Sequence, residues 1–154
     1  MMVIDFEVDH GVLEEDLRAS PVTADAGALE ETFFVMPVKF VVNGADLLTL
    51  SGQQAHALPL LGFSTHMVRA LDEMHSTDER RVYLAGGGDI SLRAIGDRVE
   101  VHSSLTHRRV TVDRTELLVA FRDFADRVKR QLLALVPGMV SHPHWLIWFP
   151  RKDK

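Results

Sequence analysis

The chain offers few side chains whose types and spacing suggest chemistry. His142-Pro143-His144 places two imidazoles at i,i+2, on one side of an extended segment. Two histidines supply half of a zinc shell, and the third ligand would have to come from His66, His75, His102 or His107. There is no His-Glu-x-x-His, and no cysteine removes thiol catalysis, iron–sulfur clusters and Cys-ligated zinc. His142 and His144 are therefore the candidate ligands, and the expectation is no metal and no cofactor. Gly86-Gly87-Gly88 is followed by Asp89, a negative charge where a phosphate would sit, and by a strand pattern in place of a helix. It reads as a turn. None of Ser51, Ser64, Ser103, Ser104 and Ser141 lies in a Gly-x-Ser-x-Gly elbow.

Charge is more informative than any catalytic motif. The 154 residues carry 17 bases and 22 acids, a net of −5, which argues against a generic nucleic-acid binder. Arg80-Arg81 and Arg108-Arg109 have only Tyr83 nearby for base stacking, so no nucleic acid is expected as a partner. The balance is uneven. Residues 1–31 hold nine acids and one base, Arg18, a net of −8, while the other 123 hold 16 bases and 13 acids, a net of +3. Such a segment either solvates the protein or steers a basic partner. Asp9, Glu14, Glu15, Asp16, Glu30 and Glu31 are the candidate partner-binding acids. Trp145 and Trp148, in the aromatic tail Trp145-Leu146-Ile147-Trp148-Phe149, join them as an anchor for a second protein or a second copy, or else pack that tail into the core.

The elements that must position these residues fit one domain. At 154 residues and 46% apolar composition, the chain buries a core without disulfides. The amino terminus carries acids where a signal peptide would be basic, and the longest apolar stretch, 33–42, is broken by Pro37 and Lys39. A cytoplasmic protein with no membrane segment is expected. Val3, Asp5, Glu7 and Asp9 alternate with Ile4, Phe6 and Val8 as in a half-buried strand. Residues 11–31 read as loop with one short element near 12–17. Residues 33–42, the Asn43-Gly44 turn and residues 45–50 predict a hairpin that pairs Phe40 with Leu47 and Val38 with Thr49.

Met67, Val68, Leu71 and Met74 predict a helix over 64–75, capped by Ser64. Alternation over 81–112, broken by the glycine triplet and Gly96-Asp97, predicts an antiparallel meander with one wet face. Asp113-Arg114-Thr115-Glu116 has the form of a capping box. The stripe Leu117, Phe121, Phe124, Val128, Leu132 and Leu135 then predicts a helix over 113–136, with Arg122/Asp126, Asp123/Arg127 and Asp126/Arg130 paired off it. The predicted fold is α+β: a single antiparallel sheet of about six or seven strands with both helices on one face.

The run from Gly88 to Val101 feeding the capped helix Val112–Leu117 to Val136-Pro137 resembles, in layout, small bacterial cytosolic α+β proteins, among them immunity proteins of polymorphic toxin systems. The resemblance covers about residues 81–137 and includes no diagnostic motif, so no functional residue transfers with it. It implies a non-catalytic protein-binding module that neutralises a toxin, with the acidic first segment facing a basic, nuclease-like domain. Two alternatives stand beside it. One is a small-molecule-binding or hydrolytic domain that uses His66, His102 or His107 beside a carboxylate in a sheet–helix cleft. The other is a self-associating subunit.

Overall fold

The computed structural model describes residues 1–151. In chain order the elements are β1 (Met2–Phe6), α1 (His10–Arg18), α2 (Ala26–Glu31), β2 (Val35–Val42), β3 (Ala45–Asp46), β4 (Ala57–Pro59) and α3 (Leu60–Glu73), then β5 (Glu79–Tyr83), β6 (Asp89–Ile95), β7 (Arg98–Ser103), β8 (Arg109–Asp113), α4 (Arg114–Leu135) and α5 (Trp145–Trp148). Short 3₁₀ turns occupy Pro21–Thr23 and Pro137–Ser141. The fold is α+β and antiparallel, but there are two four-stranded sheets, not one. In the first, β2 pairs with β1 on one edge and with β3 and β4 in turn on the other. The second is the meander β5-β6-β7-β8. Each sheet is followed by its own long helix, α3 or α4, and these two helices touch both sheets. The sheets meet through side chains, where Thr106 Oγ1 donates to Leu47 O (3.3 Å) and Arg108 Nη1 donates to Asp46 O (2.9 Å).

The predicted hairpin forms and then stops. Asn43 and Gly44 take positive φ (50° and 82°), and Leu47 N donates to Phe40 O at 2.9 Å. Val38 does not meet Thr49. Asp46 Oδ1 accepts from Leu48 N and Thr49 N and turns the chain away from β2. The chain returns at His56, whose carbonyl accepts from Val38 N (2.9 Å) and whose amide donates to Thr49 Oγ1 (3.1 Å). The glycine triplet is a turn as read: φ is 88°, 114° and 86°, and Leu84 N donates to Gly88 O.

The helices depart from expectation in instructive ways. α3 begins four residues before Ser64, directly after Pro59, where the missing proline donor costs nothing. Ser64 is fully buried inside the helix, and its hydroxyl donates to Leu60 O at 2.7 Å. The short element expected near 12–17 is α1, but the rest of 11–31 is not simply loop, since α2 follows, and both helices start on aspartate caps. Asp9 Oδ1 accepts from Gly11 N and Val12 N, and Asp25 Oδ1 accepts from Ala28 N. α4 matches its prediction, with Asp113 Oδ1 accepting from Glu116 N (2.9 Å). Asp123/Arg127 and Asp126/Arg130 pair as expected, but Arg122 reaches across to Asp72 of α3 (2.7 Å).

The apolar faces converge on an aromatic centre. Phe40 of β2, Phe63 of α3 and Phe121 and Phe124 of α4 are all buried. Phe121 meets Phe40 edge-on at 5.2 Å and Phe63 at 5.7 Å. Phe6 of β1 stacks on Phe124 at 5.8 Å. One set of rings thus joins the first sheet to both long helices.

Asp16 is the acid closest to this core. It is buried, and its Oδ2 accepts from Phe34 N at 2.8 Å, fixing α1 to the start of β2. Burial raises its pKa above the usual carboxylate value, against the lowering effect of the Phe34 amide, and the charge of Glu15 raises it further. The folded state therefore binds this proton more tightly than the unfolded chain does. That contribution is complete below the unfolded pKa and is lost as pH rises through the raised value. Asp16→Asn keeps the acceptor and removes the charge, so it is expected to leave stability at neutral pH unchanged or slightly higher. Asp16→Ala leaves the Phe34 amide buried and unpaired and is expected to cost about 1–3 kcal/mol. Chemical denaturation of the two variants side by side checks the contrast.

Candidate functional site

The structure divides the candidate acids by role. Asp9 caps α1, and Asp16 is buried against Phe34. Glu30 is half-buried at the end of α2, where its Oε1 lies 3.3 Å from His66 Nε2 and accepts from Trp148 Nε1 at 3.2 Å. Glu14, Glu15 and Glu31 are exposed, and their side chains make no hydrogen bond or ion pair among the described residues. Two other acids of the segment are also engaged, Asp5 with Arg127 (2.9 Å) and Asp25 as the α2 cap. Five of the nine acids thus have a structural role, though only Asp16 is buried, and Glu7 joins Glu14, Glu15 and Glu31 as exposed and unengaged among the described residues.

Trp145 and Trp148 are not offered to a partner, because both rings are buried, at 4% and 5% exposure. Trp145 stacks on Phe149 at 4.7 Å, and Trp148 on His142 at 5.0 Å. In the four-residue α5 the outward residues are Leu146 and Ile147. Sequence alone could not separate core from anchor here, since a single helical turn presents both faces within four residues.

His142 and His144 do not form a ligand pair. His142 is buried, its Nε2 lies 2.8 Å from Ala24 O, and its Nδ1 accepts from His144 N at 3.1 Å. Those two bonds fix the neutral imidazole with hydrogen on Nε2, and both nitrogens are occupied. Among the described residues, no group of three or more histidine and acidic side chains is placed to hold a metal.

Two recesses gather the remaining candidates. The first lies on the outer, wet face of the meander, as expected from its alternation. Glu100 there accepts from Arg93 and Arg109 (3.2 and 3.3 Å), with His102 beside it. His107 is not part of this recess. It sits exposed in the β7–β8 turn at a φ of 59°. The second is a cleft of about 400 Å³ between the end of α2, the first half of α3 and the β5–β6 turn. Glu30, Glu31, His66 and the exposed Tyr83 line it, together with the buried Leu58 and Phe63. It is the sheet–helix cleft with a histidine beside a carboxylate, and its walls come from segments far apart in sequence. Tyr83 is the functional candidate that sequence reasoning missed. Beside two dibasic pairs its sequence context suggests only base stacking, and its outward position at the end of β5 is the signal that points further.

Gly62 sets the shape of this cleft. A Cβ there would strike the Glu30 carbonyl oxygen and come within 3.1 Å of the Glu30 carbonyl carbon. Only glycine lets α3 approach α2 closely enough to bring His66 to Glu30.

No helix among the described residues is long and apolar enough to cross a membrane. Searches against protein-family models, curated proteins and solved structures return no match to this chain.

Proposed function

We propose that the protein is a non-catalytic protein-binding module of the immunity kind, which engages a basic partner, such as a toxin domain, through the acidic side formed by α1 and α2. One observation carries this reading: Glu14, Glu15 and Glu31, like Glu7 of the same segment, remain exposed and unengaged among the described residues, while Asp5, Asp9, Asp16, Asp25 and Glu30 each have a structural role. Uncompensated like charges at a surface favour the folded state little, and they are the groups whose energy improves when a positive surface arrives.

The test is affinity capture from the native host at low and at high salt. The expected result is a basic protein retained at low salt, weakened at high salt, and bound about tenfold or more weakly by the triple variant Glu14→Lys, Glu15→Lys, Glu31→Lys. A control reversal on the outer face of the meander, at the exposed Glu79 (Glu79→Lys), is expected to leave capture unchanged. Equal capture by the triple variant and the native protein contradicts the reading.

The His66–Glu30 pair favours a second reading, a small-molecule-binding or hydrolytic domain. Thermal stabilisation by a metabolite panel, abolished by His66→Ala, would support it.

A further inference from the structure

We infer that the cleft between α2, α3 and the β5–β6 turn is a socket for an arginine side chain of the partner protein. This deepens, and rests on, the reading of the acidic side as a docking surface. Two carboxylates, Glu30 and Glu31, line this cleft, and neither lysine nor arginine does. The recesses elsewhere on the surface bring their own cations: Arg108 beside the β2–β3 hairpin, Lys39 beside β1, Arg98 near the amino terminus, and Arg81, Arg93 and Arg109 on the meander. Negative charge that meets no lysine or arginine, in a concave site, is complementary to a cation.

The remaining lining selects which cation. Tyr83 is 73% exposed, an unusual position for an aromatic ring on a strand edge, and it offers a π face to a guanidinium. Tyr83 and the half-buried Ala85 leave apolar surface for the methylene stem, the part of arginine that gains from burial. A planar fork of five donors matches a carboxylate better than an ammonium does. Glu30 is already oriented, because Trp148 Nε1 and His66 Nε2 both lie on its Oε1 and leave Oε2 to a ligand. The volume, about 400 Å³, suits one long side chain.

The socket has a built-in reporter. The chain contains two tryptophans, and the Trp148 indole N–H is bonded to the carboxylate that would receive the guanidinium. The probe is a glycine-flanked peptide with one central arginine, titrated into ¹⁵N-labelled protein. It is compared with the same peptide carrying citrulline, the neutral isostere, and with its lysine counterpart. The expected result is a saturable shift of the Trp148 indole resonance with arginine, a several-fold weaker effect with lysine and none with citrulline. Glu30→Gln, which keeps the acceptor for Trp148, and Tyr83→Ala, at an exposed position, should each weaken the arginine peptide about tenfold without lowering the melting temperature. Equal response to citrulline, no shift of the Trp148 resonance, or undiminished affinity in both variants overturns the inference. Capture of a basic partner that ignores Glu30→Gln and Tyr83→Ala leaves the acidic docking side standing and overturns the socket alone.

Discussion

Phe121→Ala should lower the melting temperature by about 10 °C, the largest single-residue effect expected in this chain. Phe121 is fully buried and meets three other rings: Phe40 at 5.2 Å, Phe63 at 5.7 Å and Phe124 at 6.2 Å. Truncating a buried phenylalanine costs about 3–5 kcal/mol, from lost transfer energy and from the cavity left behind. Total stability of a domain this size is only about 5–15 kcal/mol, and each kcal/mol moves the midpoint by roughly 2–4 °C. Neighbours cannot easily collapse into the space, since the surrounding rings come from β2, α3 and α4 and would have to move whole elements. Phe121→Leu keeps most of the volume and should cost much less. Thermal melts followed by circular dichroism decide this. A loss below about 1 kcal/mol for the alanine variant would mean the ring cluster is not the junction described.

Gly62→Ala is the second, and it links stability to the site. Alanine normally stabilises a helix interior by about 1 kcal/mol over glycine. Here the new methyl meets the Glu30 backbone, which cannot rotate away as a side chain could. α2 must shift, so the net effect should lie at the upper end of the roughly 1–3 kcal/mol typical of overpacking. The displaced residue is Glu30, so the same substitution should move the Trp148 indole N–H resonance without touching Trp148 itself. Denaturation and that one resonance together check the prediction. A stabilised variant with an unmoved resonance would contradict the close approach of α2 and α3.

The sequence made the long, regular parts of this fold legible, for physical reasons. α4 has six stripe positions and an aspartate cap, and the meander alternates cleanly because one of its faces stays wet. α1 and α2, with nine and six residues, are shorter than the roughly 12–15 that hold a helix on propensity alone, so packing and caps decide them. Ser64 misled because serine favours caps, yet the same hydroxyl can back-bond inside a helix, which it does. The split into two sheets is a tertiary outcome. It falls between β4 and β5, which α3 separates, and the strand alternation on either side carries no sign of it.

The candidate site was legible only in part. The uneven charge was visible, and Glu14, Glu15 and Glu31 remain where it led. The internal duties of Asp16 and Glu30 were not, because their partners, Phe34, His66 and Trp148, are set by tertiary contacts up to 118 residues away. The same distance hid the cleft, whose walls come from α2, α3 and β5.

The central claim is that a basic partner docks on the acidic side of α1 and α2. Amide hydrogen exchange of the captured complex against the free protein tests it most directly. The account predicts new protection over α1 and the end of α2, with the outer face of β5–β8 exchanging as before. Protection confined to the meander, with α1 and α2 unchanged, would contradict it.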